Sequence, residues 1–305
     1  VGSSPVIENC FIANCSANQG GGFFFDGGAA TLRNMRIQEC NSTYGAAVYA
    51  KNYAAPLLER CLLVDNTAVG GGALCVIMSN VTFEQGTVAN NIASSYGGAA
   101  YIINGSLSCS NSVLWGNTAP TGMTWYLTSV SSVSLAYCDV QGGTSGFYLD
   151  GTGNSYDWSP GCYDRDPLFV DSTNGDYHLQ SQAGHWDEAT REWVANDQTS
   201  PAIDTAHPSE GIGEELDTPL PTNLRKNLGV YGGTAQASMT PAGWSLLCDV
   251  NNDGGTDLAE FSLLAGQWQQ TEVGLISDYD GRDGVVLADL VLLCQEWLGT
   301  AGWTP

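Results

Sequence analysis

The sequence predicts a mainly β chain: a solenoid of stacked parallel coils followed by a small α-helical module. Three observations predict it. Five columns of residues recur at spacings of 24 to 26 through the first half. Short β-type runs such as Val6-Ile7, Phe11-Ile12, Leu57-Leu58 and Leu62-Leu63 alternate with Gly, Asn, Ser and Ala turn clusters. Near the C-terminus, a duplication with a shift of 29 carries apolar residues at helical spacing.

The first column reads Cys15, Cys40, Asn66, Asn91, Asn117, and the second Ile12, Ile37, Leu63, Val88, Leu114, Val140. The third reads Ile7, Leu32, Leu58, Phe83, Cys109, Leu135. The fourth is Gly21, Gly45, Gly71, Gly97, Gly122, and the fifth Phe25, Tyr49, Cys75, Tyr101, Tyr126. A fixed period of about 25 residues per coil means one unit laid on copies of itself. No unit holds the long 3.6-residue stripe of a helical repeat. A sandwich of evenly spaced strands is the alternative, but the columns hold register through five units. A parallel β-helix, with strands about 4.8 Å apart along its axis, fits instead. The aliphatic columns then point inward, the asparagines form an amide ladder at a bend, and the glycines supply positive φ at another corner. The coils take residues 1–158, an irregular β segment 159–240, and the helical module 241–305. Val1 falls inside a coil, which predicts an open sheet edge, a template for another chain.

Nine basic residues against 32 acidic ones give a net charge of −23, which disfavours nucleic acid and anionic lipid and favours calcium or basic partners. No apolar run is long enough to span a bilayer. The ten cysteines lack zinc-site spacing, and the histidines are only His178, His185 and His207. Cys10, Cys61, Cys75, Cys109 and Cys138 read as small buried hydrophobes. Cys15 and Cys40 sit on adjacent coils, but parallel Cβ vectors would strain a disulfide between them. Cys138 with Cys162, and Cys248 with Cys294, are better candidates. Such pairs and the acidic surface suit a secreted protein, extracellular or at the cell surface.

The irregular segment contains Asp166-Pro167-Leu168-Phe169-Val170-Asp171, Gly175-Asp176-Tyr177-His178-Leu179-Gln180, Thr199-Ser200-Pro201-Ala202-Ile203-Asp204 and Gly229-Val230-Tyr231-Gly232-Gly233-Thr234. That order resembles the C-terminal portion of secreted β-helix proteins of planctomycete-type bacteria. Together with the repeats, the resemblance covers residues 1–240. It implies a right-handed parallel β-helix, secreted or surface-displayed, often without an assigned activity.

In the helical module, apolar residues at 258, 261, 264 and 268 are matched at 287, 290, 293 and 297. Each helix follows an acidic loop. The first, Asp249 to Glu260, places oxygen ligands at positions 1, 3 and 5, glycine at 6 and a carboxylate at 12, the EF-hand calcium pattern. Calcium needs six to eight oxygens around one point, and alternate residues of a tight loop converge on it. Asp249, Asn251, Asp253, Gly255 through its carbonyl, Asp257 directly or through water, and Glu260 are the candidate ligands. An acidic turn before a capped helix is the plainer alternative. In the second loop Asp278, Asp280 and Asp289 take positions 1, 3 and 12, but Arg282 stands at position 5 and Asp283-Gly284 come one residue late. Either the loop bulges to bring Asp283 in, or the site is weak. Two such loop–helix units resemble a type I dockerin over residues 241–305. That resemblance implies a calcium-dependent connector with a cohesin-like partner; Cys248 and Cys294 flank the duplication as a clasp.

Catalytic residues are not evident. Lys51, Lys226 and the seven arginines do not stand in a column beside paired acids, as a lyase of uronate polymers needs. Asp26, Asp65, Asp139 and Asp150 lie in different columns, not as a glycosidase pair. No nucleophile elbow, phosphate loop or zinc motif occurs. The expected function is non-catalytic: a rigid β-helix spacer and a calcium-dependent connector, bound to a cohesin-like domain or head-to-tail to another copy in a filament or surface layer. The alternative is a polysaccharide-binding protein or lyase, with Tyr44, Tyr53, Tyr96, Trp115 and Trp125 as a platform; stacking within the coils is the plainer reading of these rings.

Overall fold

Strands of mostly three to five residues, separated by corners at positive φ, wind the first half of the chain into coils. The computed structural model describes residues 4–215 and 223–303. One corner recurs at Asn9, Asn34, Arg60, Gln85, Asn111 and Tyr137, with φ between 50° and 56°. Every pairing between coils is parallel. Seven strands stack in the first sheet, from Val6–Glu8 to Ser155–Trp158, and six in the second, from Phe11–Ala13 to Asp139–Val140. Four stack in the third, Ser16–Gln19 to Ile92–Tyr96, and six in the fourth, Phe23–Asp26 to Phe147–Asp150. This is a parallel β-solenoid. Val1, where the sequence places an open edge, lies outside the described residues.

Both aliphatic columns hold their register. Ile12, Ile37, Leu63, Val88, Leu114 and Val140 face one another on successive coils. So do Ile7, Leu32, Leu58, Phe83, Cys109 and Leu135, and Trp158 extends that column. The asparagine ladder is also formed. Asn91 Oδ1 accepts from the Asn66 backbone N (3.0 Å) and Nδ2 (2.9 Å). Asn91 Nδ2 donates to the carbonyls of Leu63 and Ala89 and to Asn117 Oδ1. These amides satisfy backbone groups that the bend removes from the sheets.

Two columns slip by one in the first coil. Gly20 (φ 62°), not Gly21, precedes the fourth sheet where Gly45, Gly71, Gly97 and Gly122 do so in later coils. Phe24, not Phe25, pairs with Tyr49. The run Gly20-Gly21-Gly22-Phe23-Phe24-Phe25 repeats each residue type, so type alone cannot fix the register. The pleat fixes it instead: Phe23 and Phe25 stack on one face while Phe24 stacks on Tyr49.

The chain divides into two compact units, Val1–Ser159 with Tyr163–Arg165, and Pro160–Cys162 with Asp166–Pro305. In the second unit the strands pair antiparallel as two short hairpins, Phe169–Asp171 with Asp176–Leu179 and His185–Asp187 with Glu192–Val194. Turns follow, then helices α1 (Leu258–Gln267) and α2 (Leu287–Gln295).

The expected disulfides are not formed: no S–S bond joins any of the ten cysteines. Cys15 and Cys40 turn their thiols to the carbonyls of Ala13 and Gln38, and Cys138 to that of Ala136. Parallel Cβ vectors on successive coils do not suit the dihedral that a disulfide needs. Cys248 is buried in the helical core, whereas Cys294 is exposed.

Candidate metal centre

Each helix starts by turning a carboxylate back on its own loop. Asp257 caps α1, accepting from Ala259 N (2.7 Å), while Glu260 Oε2 accepts from Asp257 N (2.8 Å), a reciprocal capping box. In the second copy Asp289 Oδ2 accepts from Val286 N (2.8 Å). The helices bury Leu264 and Leu293 against Val250, Leu275, Tyr279 and Val285.

The shift of 29 is preserved bond by bond. Thr256 donates to Gly299 O and accepts from Leu298 N; Val285 donates to Gln270 O and accepts from Gln269 N. Each loop therefore pairs with the segment that follows the other helix. Gln267 Oε1 accepts from Ser277 N (3.0 Å), and its counterpart Glu296 accepts from Leu247 N (3.1 Å) and Cys248 N (2.8 Å). A clasp at Cys248 thus exists, but Glu296 makes it. Glu296→Ala strands two backbone donors and should cost about 2 kcal/mol; Gln267→Ala strands one and should cost about 1 kcal/mol. Urea midpoints of the two variants check that order.

Within each loop, side-chain oxygens accept from backbone N–H groups two to five residues on. In loop 1 Asp249 accepts from Asp253 N and Gly254 N, Asn251 from Asp253 N, and Asp253 from Gly255 N. In loop 2 Asp278 and Asp280 both accept from Arg282 N (2.9 and 3.0 Å). Arg282 therefore occupies position 5 without a bulge. Asp283 (φ 56°) sits at position 6, where loop 1 has Gly254 (φ 94°).

One oxygen each from Asp278, Asp280 and Asp289 lies within 4.8 Å of the others; Asp283 is not in that group. No three carboxylates of loop 1 come that close. The two loops use their closing carboxylates differently. Asp289 Oδ1 accepts from Tyr279 N (2.7 Å), whereas Glu260, fully buried, leaves Oε1 without a hydrogen-bond partner. Burial pushes the Asp249 carboxyl up to about 7 and raises those of Glu260 and Asp278. Desolvated carboxylates with an unused oxygen are the donor set that a hard divalent cation satisfies. Both loops fit calcium on this chemistry. In loop 2 Asp278, Asp280 and Asp289 would hold the ion, with Arg282 at position 5; in loop 1 Asp249, Asn251, Asp253, the Gly255 carbonyl, Asp257 and Glu260 would.

In the solenoid, Trp125 is fully buried and stacks on Phe147, so it cannot serve a platform. Tyr44 and Tyr96 join Tyr101, Tyr126 and Tyr148 in a ring cluster with centroids 4.7–6.2 Å apart. Tyr53 stands exposed, and Trp115 is half-buried. Among the described residues no helix is long and apolar enough to cross a membrane.

A family model described as "Disaggregatase related" matches residues 143–206. The match contains the segments Asp166–Asp171, Gly175–Gln180 and Thr199–Asp204 and agrees with a β-helix repeat protein. No curated protein matches the chain. No solved structure matches it.

Proposed function

We infer that this is a non-catalytic structural protein, secreted or displayed at the cell surface. The β-solenoid is its rigid spacer, and residues 241–305 are a calcium-dependent connector of dockerin type. The observation that carries this reading is the duplicated loop–helix pair, with buried carboxylates at equivalent positions around a shared core. Calcium would neutralise these clustered charges and so couple to folding of the pair. The helices also present apolar side chains to solvent. Leu258, Phe261, Leu287, Val291 and Trp297 are all exposed, and Phe261 packs edge-on to Trp297. A cohesin-like domain, or another copy of this chain, is the partner such a face suits.

The test is calcium titration of the metal-free chain by calorimetry, with light scattering and negative-stain microscopy at each end point. Calcium binding with growth into filaments supports self-assembly. Binding with a monomeric chain moves the partner to a cohesin-like domain. Absence of binding removes the connector reading.

A second reading, polysaccharide binding, is favoured by the ring cluster in which Tyr96 and Tyr148 are exposed. Sugars stack their apolar faces on such rings, and a chain of net charge −23 disfavours uronate polymers relative to neutral ones. Binding and product release on a panel of both classes separate a binder from a lyase; failure of both removes this reading.

A further inference from the structure

Loop 1 is tied to the segment that precedes the helical pair; among the described residues loop 2 has no tie equivalent to that of Asn252. Position 4 of loop 1 is Asn252, buried and in the left-handed region (φ 56°). Its Nδ2 donates to Gly161 O (3.0 Å) and Thr205 O (2.8 Å), and its Oδ1 accepts from Arg225 Nη1 (3.1 Å). Arg225 is 2% exposed. Its Nη1 also donates to the Asp249 carbonyl (2.6 Å), while Nε and Nη2 donate to the Ala206 carbonyl. One guanidinium and one amide therefore fix positions 1 and 4 of the loop to residues 161 and 205–206. The counterpart of Asn252 in loop 2 is Gly281, exposed and without a side chain.

A buried guanidinium is retained at low cost only when its donors are used, and the fork of Arg225 spends them on carbonyls of two separate segments. The Asp249 oxygens reach a common point with Asn251 and Asp253 only if the backbone of 249–252 keeps its turn. Arg225 and Asn252 hold that turn from outside the ligand set, as partners behind metal ligands do elsewhere.

We propose that Arg225 and Asn252 are positioning residues for a calcium ion in loop 1, and that calcium there is linked to the order of residues 204–206 and 225–228. This rests on the calcium reading above. Linkage is reciprocal: whatever the ion gains from an ordered loop, the segment gains from the ion. The amides that report it are Ala206, bonded to Lys226 O, and Leu228, bonded to Ala202 O.

The experiment is amide hydrogen exchange on the full chain with and without calcium, with calorimetry on Asp278→Asn chains to weaken loop 2. Calcium is expected to slow exchange at Ala206 and Leu228 as well as in loop 1. Asn252→Gly, which keeps the positive φ and copies Gly281, is expected to weaken calcium binding at loop 1 by at least about tenfold. It is also expected to abolish the calcium response at Ala206. Arg225→Lys keeps the charge and loses the fork, and should act in the same direction. Calcium binding with unchanged exchange at Ala206 and Leu228 in the unmutated chain overturns the proposal, whatever the variants do. Unchanged affinity in Asn252→Gly also overturns it. No calcium binding to the unmutated chain overturns the connector reading itself, a separate outcome in the same calorimetry.

Discussion

Asn91→Ala is expected to destabilise the solenoid by on the order of 5 kcal/mol, more than any surface substitution in it. The side chain is fully buried and serves five partners on its own coil and both neighbours. Truncation leaves the Asn66 backbone N–H, the Asn66 amide, the Leu63 and Ala89 carbonyls and Asn117 Oδ1 short of a bond, at about 1–3 kcal/mol for each group left unsatisfied. Partial relaxation keeps the total below the sum. Asn80, whose Oδ1 accepts from Ser106 on an exposed face, is the control. Asn80→Ala should stay within about 0.5 kcal/mol. Denaturant midpoints of the two variants decide it. Equal midpoints would mean that the ladder is ornamental and that the aliphatic columns alone hold the coils.

The ladder was legible in the sequence because the bend, the amide and the coil period act on the same residues. An asparagine recurring with aliphatic residues three positions before it has few physical readings. The first coil was less legible, since three glycines beside three phenylalanines make neighbouring registers alike by type. Only the alternation of Phe23, Phe24 and Phe25 across the pleat distinguishes them. The convergence of Asp278, Asp280 and Asp289 could be read from spacing, as could the intrusion of Arg282. The fixtures around them could not. Glu296 meets the backbone at Leu247 and Cys248, 48 or 49 residues away, and no local pattern announces it. Aligning Gln267 with Glu296 by the shift of 29 is the signal that would have found it. Arg225 and Asn252 carry no such signal, because theirs is a contact that the duplication does not repeat.

Below neutral pH the metal-free second unit is expected to gain stability, because Asp204 and Glu215 are carboxylates buried inside it. Burial raises Asp204 from 3.8 to about 6, against hydrogen bonds from Ser245 and the Leu224 N–H that favour its charged form. Burial raises Glu215 from 4.5 to about 7, although Gly233 N, Asn223 and Asn227 N all donate to it. Each folded-state value lies above its unfolded one. The contribution is therefore fully present below about pH 4 and is lost as pH rises through 6 and 7, by on the order of 3 kcal/mol per group. Three groups oppose this trend: Asp176, Asp187 and His207. Burial raises Asp176 too, but its bonds to His178 outweigh that and lower it, so its contribution is lost in acid. The Thr190 and Ala189 N–H groups donate to Asp187 and lower it, so its contribution is lost in acid. Burial lowers His207, which must charge in acid at a cost. A single variant isolates the main effect. Asp204→Asn keeps an oxygen for Leu224 N and Ser245, and its amide replaces Oδ1, which has no hydrogen-bond partner. Asp204→Asn should be near neutral at pH 5 and stabilising by on the order of 2 kcal/mol at pH 8, measured by urea unfolding in calcium-free buffer. A variant that is destabilised equally at both pH values would show that Asp204 is ionised throughout and held by partners stronger than its burial.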